Sequence, residues 1–265
     1  MVTREEELTR VTSKDGTLIA CWRSGHGPPL VLVHGTSADH TRWKPVLPAL
    51  EEHFSVYAVD RRGRGASGDS DKYAMEREFE DIAAVVDSLE VPVNLLGHSY
   101  GALCALETAK LTHNICKLIL YEPPIPMGIE IYRPGIIDQL QALLDGGDRE
   151  SVVKTFLLEI ARISPEQVGL LRSLPAWAGR IAAAHTIPRE ERAGQSYRFD
   201  PKRFMSFSTP TLLLLGGDSP QFFKVAIDTL KSVLQDAKVV VMPGQQHAAM
   251  DTGTQLFITE VLRFL

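Results

Sequence analysis

The chain has 265 residues, of which 44% are hydrophobic and 23% charged, and its formal net charge is −5. This length and composition predict a globular protein with a substantial core, either one large domain or one domain with an insertion. The negative charge, with no basic cluster beyond Arg61, Arg62 and Arg64, argues against nucleic acid as the main partner.

Two alternating segments, residues 7–12 and 17–23, flank a turn signal at Lys14-Asp15-Gly16 and predict an antiparallel hairpin. After this hairpin, short apolar runs typical of strands buried on both faces alternate with segments of helical periodicity. This alternation predicts an α/β fold with a doubly wound, mostly parallel sheet. The predicted strands are residues 30–33, 55–59, 93–96, 117–121, 211–215 and 238–242, and the predicted helices are residues 42–52, 75–89, 102–110, 220–234 and the C-terminal segment.

The alternation of strands and helices stops after Pro124 and returns near residue 207. Between these points the sequence has no strand signal, only helix-like stretches separated by Pro, Gly and Ser. We therefore expect a sheet domain made of residues 1–124 and 207–265, with a helical segment at residues 125–206. The helix-like stretches are residues 135–144, 150–163, 165–174 and 177–184.

Gly63, Gly65 and Gly68 have the GxGxxG spacing of dinucleotide-binding turns. In such a turn the last glycine opens a helix directly, but here residues 69–71 continue the loop. This motif is therefore interpreted as a structural loop, and no cofactor is predicted.

The motif Gly97-His98-Ser99-Tyr100-Gly101 lies between a predicted buried strand and a predicted helix. Only a very tight turn fits between them, and the flanking glycines let strand and helix approach without Cβ clashes. Ser99 is therefore the candidate nucleophile. Taken alone, the motif could also be a serine in a glycine-rich loop, so the interpretation depends on its context.

Four motifs in the expected order give the chain a resemblance to the α/β-hydrolase fold over essentially its whole length. They are LVLVHG at residues 30–35, DRRGRGAS at 60–67, NLLGHSYGA at 94–102 and PGQQH at 243–247. The resemblance implies that residues 125–206 form the family's helical cap. It also implies an oxyanion hole built from the backbone N–H groups of Thr36 and Tyr100.

A serine hydroxyl needs a base within hydrogen-bond reach, and that base is in turn oriented by a carboxylate. His247 follows the last predicted strand, where the resemblance places the base, and the chain order serine, acid, histidine is then respected. His98 is expected to point away from the Ser99 hydroxyl, because it lies on the far side of the turn. His34, beside the oxyanion loop, is expected to be structural.

The sequence offers two candidates for the acid, Glu122 and Asp218. The family most often places the acid after the strand that ends here at Leu215, but Asp218 falls one residue early for that position. Asp218 also precedes Ser219 and Pro220, which form a good helix start with serine as the N-cap. Glu122 ends the preceding strand, before two prolines that exclude a capping role. Glu122 is the preferred acid, and Asp218 stays the alternative.

The helical segment supplies Trp177 and His185 as candidate substrate contacts, although the favoured interpretation of His185 is that it faces water. No charged cluster there demands a charged substrate, so a pocket for a small or medium, largely apolar acyl group is expected. Other side chains that could line this pocket, or simply pack the segment's own core, are Phe156, Leu157, Ile163 and Ile181.

A serine at the turn argues against epoxide hydrolases and haloalkane dehalogenases, which use an aspartate there. The resemblance implies hydrolysis of an ester or related acyl bond through an acyl-enzyme, without metal or cofactor. The same triad also serves carbon–carbon bond hydrolases, lactonases, perhydrolases and lyases, and some members of the fold are low-turnover ligand receptors. Rapid turnover of short p-nitrophenyl esters would distinguish an enzyme from a receptor.

The cysteines Cys21, Cys104 and Cys116 form no CxxC pair and lie in apolar segments, so free core thiols are expected rather than disulfides or a zinc site. No apolar run approaches the ~20 residues of a membrane span, and the polar N-terminal decapeptide does not resemble a signal peptide. A cytoplasmic protein is therefore expected, with a small-molecule substrate and neither a nucleic acid nor a membrane as partner. The sequence does not indicate the oligomeric state.

Overall fold

The computed structural model describes residues 6–265, so part of the N-terminal segment used in the signal-peptide prediction lies outside the described residues. The strands are β1 (Glu7–Thr12), β2 (Leu18–Gly25), β3 (Pro29–Val33), β4 (Ser55–Val59), β5 (Val93–His98), β6 (Ile115–Tyr121), β7 (Thr211–Gly216) and β8 (Ala237–Met242). They form one sheet in the order β1-β2-β4-β3-β5-β6-β7-β8. The β1–β2 and β2–β4 pairs are antiparallel and the others parallel, which confirms the predicted mostly parallel α/β sheet.

The α-helices are α1 (Leu47–Leu50), α2 (Met75–Asp87), α3 (Tyr100–Thr108), α4 (Ile136–Asp145), α5 (Arg149–Thr155), α6 (Pro165–Ser173), α7 (Trp177–Ala182), α8 (Ile187–Ser196), α9 (Gln221–Val233), α10 (Ala249–Thr252) and α11 (Thr254–Phe264). A π-helical turn, Phe156–Ile160, continues α5, and 3₁₀ turns cover His40–Trp43, Ala184–Thr186 and Pro201–Phe204. In the described part of the chain, none of the helices has both the length and the apolar character that a bilayer crossing requires.

Successive residues of β3 contribute to two hydrophobic cores on opposite faces of the sheet. Val31 and Val33 belong to the core that includes α2, α3 and α9, whereas Leu30 and Leu32 belong to the core that includes α1 and α11. All four side chains are fully buried. The continuous apolar run of this strand therefore follows from its central position in a sheet covered on both sides.

The helix predicted at residues 42–52 is wrong. A 3₁₀ turn, His40–Trp43, is followed by a single short helix, α1. Pro45 and Pro48 lack the backbone N–H groups that a continuous helix would need, and Pro48 lies in the first turn of α1. Helix α8 was not predicted at all, because its sequence IPREERAGQS is mostly polar.

Cys116 is exposed, contrary to the expectation of a core thiol, whereas Cys21 and Cys104 are buried.

The loop between β4 and α2 contains the GxGxxG spacing, and no helix begins before Met75, in agreement with the structural interpretation. Its three arginines are buried and meet carboxylates rather than solvent. Arg61 donates to Glu78 at 2.9 and 3.0 Å and also to Glu190 of α8. The ion pairs thus connect this loop with α2 and α8. The remaining two arginines pair with Asp81 (Arg62) and with Glu190 (Arg64).

Candidate active site

The turn between β5 and α3 holds Ser99 in a backbone conformation with φ 57° and ψ −128°, which non-glycine residues seldom adopt. The flanking glycines allow this turn. A Cβ atom at Gly97 would lie 2.4 Å from the carbonyl oxygen of Gly101, and a Cβ at Gly101 would lie 2.4 Å from that of Val33. The GxSxG spacing is therefore required by the close approach of β5, α3 and β3.

The carboxyl ends of the parallel strands bring the predicted site residues to one edge of the sheet. Thr36 follows β3, Ser99 follows β5, Glu122 follows β6 and His247 follows β8. Ser99, Thr36 and His247 line the same two cavities at this edge. The residues predicted from separate motifs are thus brought together around a common space.

Glu122 is fully buried and binds His247 directly. Its Oε2 accepts a hydrogen bond from His247 Nδ1 at 2.5 Å, and its Oε1 accepts one from the backbone N–H of Gly216 at 2.7 Å. Because a carboxylate can only accept, Nδ1 carries the proton, which leaves Nε2 of His247 to act as an acceptor. Glu122 itself has a left-handed backbone with φ 49°.

Neighbouring rings fix the orientation of the His247 imidazole. Phe223 of α9 stacks on it, with ring centroids 4.4 Å apart and planes at 15°. His98 donates its Nε2 proton to the His247 carbonyl oxygen at 2.9 Å, so it holds the backbone of this loop. Burial lowers the pKa of His98 well below its usual value, and His247 acts in the same direction. His98 is therefore a neutral positioning residue.

Asp218 does not reach His247 in this arrangement. Its side chain is exposed, and its backbone N–H donates to the carbonyl oxygen of Gln245 at 2.9 Å. The helix start predicted there is displaced by one residue, because Pro220 rather than Ser219 is the N-cap of α9. The structure thus places Glu122, and not Asp218, against the imidazole.

His34 is a satisfied structural histidine at the start of the oxyanion loop. Its Nδ1 donates to the Gly35 carbonyl oxygen at 2.8 Å, and its Nε2 accepts from the backbone N–H of Arg61 at 3.2 Å. Burial, reinforced by the charges of Arg61 and Arg64, lowers its pKa well below the usual value. The neutral ring therefore joins the β3 and β4 loops.

The two cavities that meet at Ser99 differ in chemistry. One cavity is largely apolar, and it is lined by Phe223 of α9 and by residues of the segment that connects β6 to β7 in the sequence. The other contains two guanidinium groups, those of Arg42 and Arg180. The apolar cavity is lined by Leu103, Pro124, Ile131, Tyr132, Phe156, Ile160, Ala161, Phe222 and Phe223, with Glu191 as its acidic residue.

Two of the predicted substrate contacts lie elsewhere. Trp177 is buried in the hydrophobic core and does not line either cavity. His185 lies outside them, with its Nδ1 3.0 Å from Arg149 Nη2 and its Nε2 4.0 Å from Asp69 Oδ2. The candidate contact at Trp177 is therefore corrected, because its side chain packs the core, whereas His185 is partly exposed, in line with the favoured interpretation that it faces water. Among the apolar candidates, Phe156, Leu157 and Ile163 line the arginine-containing cavity.

Comparison with known proteins agrees with this fold. The sequence profile described as "Alpha/beta hydrolase family" matches residues 30–259, which span β3 to α11. The chain belongs to the alpha/beta hydrolase family. In this hydrolase, residues 6–265 contain no group of histidine, cysteine or acidic side chains arranged to hold a metal ion.

Three relatives illustrate the similarity. A pimeloyl-[acyl-carrier protein] methyl ester esterase of Aeromonas hydrophila is 28% identical over 252 residues, 92% of this chain and 97% of that protein. An (E)-2-((N-methylformamido)methylene)succinate hydrolase of Acinetobacter baylyi is 23% identical over 231 residues, 85% of this chain and 86% of that protein. The crystal structure of an alpha/beta hydrolase from Sphaerobacter thermophilus has a TM-score of 0.81 and 34% identity, and covers 95% of this chain and 100% of that one.

Sequence reasoning missed three charged residues of the hydrolase's cavities: Arg42, Arg180 and Glu191. Each is buried, although the sequence marks none of them by a motif. A signal exists for Arg180, because Trp177, Arg180 and Ala184 recur at intervals of three and four residues. All three are buried, so this spacing puts the arginine on the inward face of its helix.

Glu191 of α8 lies in the apolar cavity beside Ser99, and burial raises its pKa to about 7. Hydrogen bonds with the Tyr132 and Thr36 hydroxyls and the charge of Arg61 act in the opposite direction, but burial dominates. The carboxyl group is therefore protonated in weakly acidic solution and ionises near neutral pH.

We expect Glu191→Gln to remove a pH-dependent loss of stability. The folded protein keeps the Glu191 proton up to about pH 7, whereas an unfolded glutamate releases it near 4.5, so the free energy of unfolding falls as pH rises through this window. The difference in the free energy of unfolding between Glu191→Gln and the wild type should therefore change in favour of the variant by up to roughly 3 kcal/mol between about pH 4 and about pH 8. Urea unfolding at both pH values measures this. Glu52→Gln, at an exposed position, serves as control, and an unchanged difference would contradict the assignment.

Proposed function

We propose that the chain is a serine hydrolase that cleaves an ester-type bond of a small, largely apolar substrate through an acyl-enzyme. The observation that carries the proposal is the buried Glu122–His247 hydrogen bond at a cavity that Ser99 also lines. It is supported by two relatives whose names describe an esterase and a hydrolase.

In the proposed reaction, His247 Nε2 takes the proton of the Ser99 hydroxyl while Ser99 Oγ attacks the substrate carbonyl carbon. Glu122 keeps the Nδ1 tautomer and stabilises the imidazolium that forms. The resulting tetrahedral intermediate collapses, the ester C–O bond breaks, and the leaving alcohol takes the proton from His247. Water then attacks the acyl-enzyme carbonyl carbon while His247 Nε2 takes its proton. The second tetrahedral intermediate collapses, the bond to Ser99 Oγ breaks, and His247 returns the proton to Ser99, which releases the carboxylic acid and the free enzyme.

The oxyanion of both tetrahedral intermediates is assigned to the backbone N–H groups of Thr36 and Tyr100. Tyr100 is the first residue of α3, so its N–H group lies at the N-terminus of this helix, which is the positive end of the helix dipole. Its ring is held in place, because its hydroxyl lies 2.9 Å from that of Tyr73 and the Arg61 guanidinium lies 4.7 Å from the ring centroid.

The helical segment, residues 125–206, is proposed as the cap over the nucleophile. Phe156 and Ala161 line both cavities at Ser99, so this segment closes the site from above the sheet edge. The apolar cavity suits a small or medium acyl group. Its acidic residue, Glu191, is compatible with such a group while it is protonated.

Labelling with a fluorophosphonate tests the proposal. We expect intact-mass analysis to show one covalent adduct on the wild type, none on Ser99→Ala and slow labelling of His247→Ala. Turnover of p-nitrophenyl acetate and butyrate should accompany the labelling. A folded wild type that is neither labelled nor active would contradict the proposal and favour the ligand-receptor alternative.

A further inference from the structure

Five arginines are buried in the described part of the chain, and one of them differs from the rest. Four have a carboxylate partner, but within residues 6–265 no carboxylate oxygen lies within 4 Å of the Arg180 guanidinium. The four paired arginines are Arg42 with Asp251, Arg61 with Glu78, Arg62 with Asp81 and Arg64 with Glu190. Arg180 is nevertheless only 8% exposed.

The hydrogen bonds of Arg180 account for only part of its donors. Its Nη1 donates to the carbonyl oxygen and to the hydroxyl of Ser37, each at 3.1 Å. Within residues 6–265, Nε and Nη2 have no acceptor. Burial, with the charge of Arg42, lowers the pKa of Arg180 to about 10, so the group is still cationic at neutral pH. Burying a cation that no carboxylate contacts is unfavourable, and an anionic ligand would offset this cost.

Arg180 lies where the cavity that contains the nucleophile meets a neighbouring groove. It lines the cavity that contains Ser99 and His247, and it also lines an adjoining groove together with Arg42, Leu171 and Asp39. The two carboxylates of this groove are already engaged. Asp251 pairs with Arg42 at 2.7 Å, and Asp39 caps the 3₁₀ turn by accepting from the backbone N–H of Thr41 at 2.9 Å. The charges of both carboxylates act on Arg180 through space, but neither carboxylate contacts the guanidinium, which is left without a direct ionic partner beside Ser99.

We propose that Arg180 binds a carboxylate group of the substrate, so that the hydrolase prefers esters that carry one free carboxylate. This inference rests on the proposed function and narrows its substrate class. The guanidinium matches a carboxylate because its planar N–H groups form two parallel hydrogen bonds. The apolar cavity on the other side of Ser99 then takes the uncharged part of the substrate.

Binding to an inactive variant tests the subsite without requiring turnover. The probes are the monomethyl and dimethyl esters of succinic, glutaric and adipic acid, titrated calorimetrically into Ser99→Ala. We expect at least one monomethyl ester to bind at least about tenfold more tightly than its dimethyl partner. Adding Arg180→Met should abolish this preference, and adding Arg180→Lys should keep part of it. If no monomethyl ester binds more tightly than its partner, the proposal is wrong.

Kinetics separate a binding role of Arg180 from a purely structural one, because Arg180 also holds Ser37 next to the oxyanion loop. The measured quantity is the ratio of kcat/KM for mono(4-nitrophenyl) glutarate to that for 4-nitrophenyl butyrate. Arg180→Met should lower this ratio by at least about tenfold, and Arg172→Met, an exposed arginine of α6, should leave it unchanged. An equal loss on both esters would show a structural role only and overturn the proposal. A different outcome would refute the hydrolase mechanism but not the carboxylate subsite: the wild type turns over neither ester, although Ser99→Ala still binds a monomethyl ester more tightly than its dimethyl partner.

Discussion

Replacing Ser99 by alanine is expected to lower kcat for 4-nitrophenyl butyrate by at least about 10⁴-fold, the largest effect of any substitution we consider. The strained turn displays the Ser99 hydroxyl into the cavities that His247 also lines. Alanine keeps the fold of the turn, because the close contacts are made by Gly97 and Gly101 rather than by the serine hydroxyl. The loss should therefore appear in kcat with little change in substrate binding.

The double variant Ser99→Ala/His247→Ala gives a sharper test than either single change. Because the base serves only to activate the nucleophile, it should be no slower than Ser99→Ala alone. Ser232→Ala, an exposed serine of α9, is the matched control and should retain wild-type kinetics. Additive losses in the double variant would mean that Ser99 and His247 do not act as one unit.

The central strands could be predicted from the sequence because each is buried on both faces and reads as a short apolar run. The run at residues 30–33 is such a case, since its side chains enter two cores in alternation. Prediction failed where backbone chemistry outweighed hydrophobic periodicity. The apolar residues at 42–52 suggested a helix, but Pro45 and Pro48 prevented it.

The site was predictable where motifs carry a geometric requirement. Gly97 and Gly101 have to be glycine because a Cβ at either would overlap a backbone carbonyl, and this requirement is visible in the sequence. The choice of acid was less determined, since both Glu122 and Asp218 follow parallel strands at the same sheet edge. Only the three-dimensional structure shows which carboxylate faces the imidazole.

The charged cavity residues could not be found from motifs. Glu191 lies on α8, whose sequence is otherwise mostly polar, and Arg180 is the only charged residue of the short helix α7, so the sequence suggested an uncharged pocket. Their burial depends on how α7 and α8 pack over the sheet edge, which is a property of tertiary contacts between distant segments. The cavities at Ser99 nevertheless contain two guanidinium groups, Arg42 and Arg180, and one titratable carboxyl group, Glu191, where the sequence indicated no charged cluster.

Glu122→Gln is expected to lower kcat by about 10³ to 10⁴-fold. Two donors converge on the Glu122 carboxylate, His247 Nδ1–H on one oxygen and Gly216 N–H on the other. An amide has a single acceptor oxygen, so its NH₂ group must face one of these donors. If it faces His247, the imidazole has to adopt the other tautomer, in which Nε2 is protonated and cannot accept the proton of Ser99. If it faces Gly216, a buried N–H loses its partner and the loop shifts.

Asp218→Asn is the matched control, because it makes the same acid-to-amide change at the alternative position. Its side chain is exposed and does not touch His247, so kcat should stay within about twofold of the wild type. Glu122→Asp keeps the charge but shortens the side chain, and its kcat should lie between those of the wild type and Glu122→Gln. Thermal unfolding of each variant separates loss of chemistry from loss of fold. Full activity of Glu122→Gln together with an inactive Asp218→Asn would assign the acid to Asp218, since the buried carboxylate would then be dispensable for holding the tautomer.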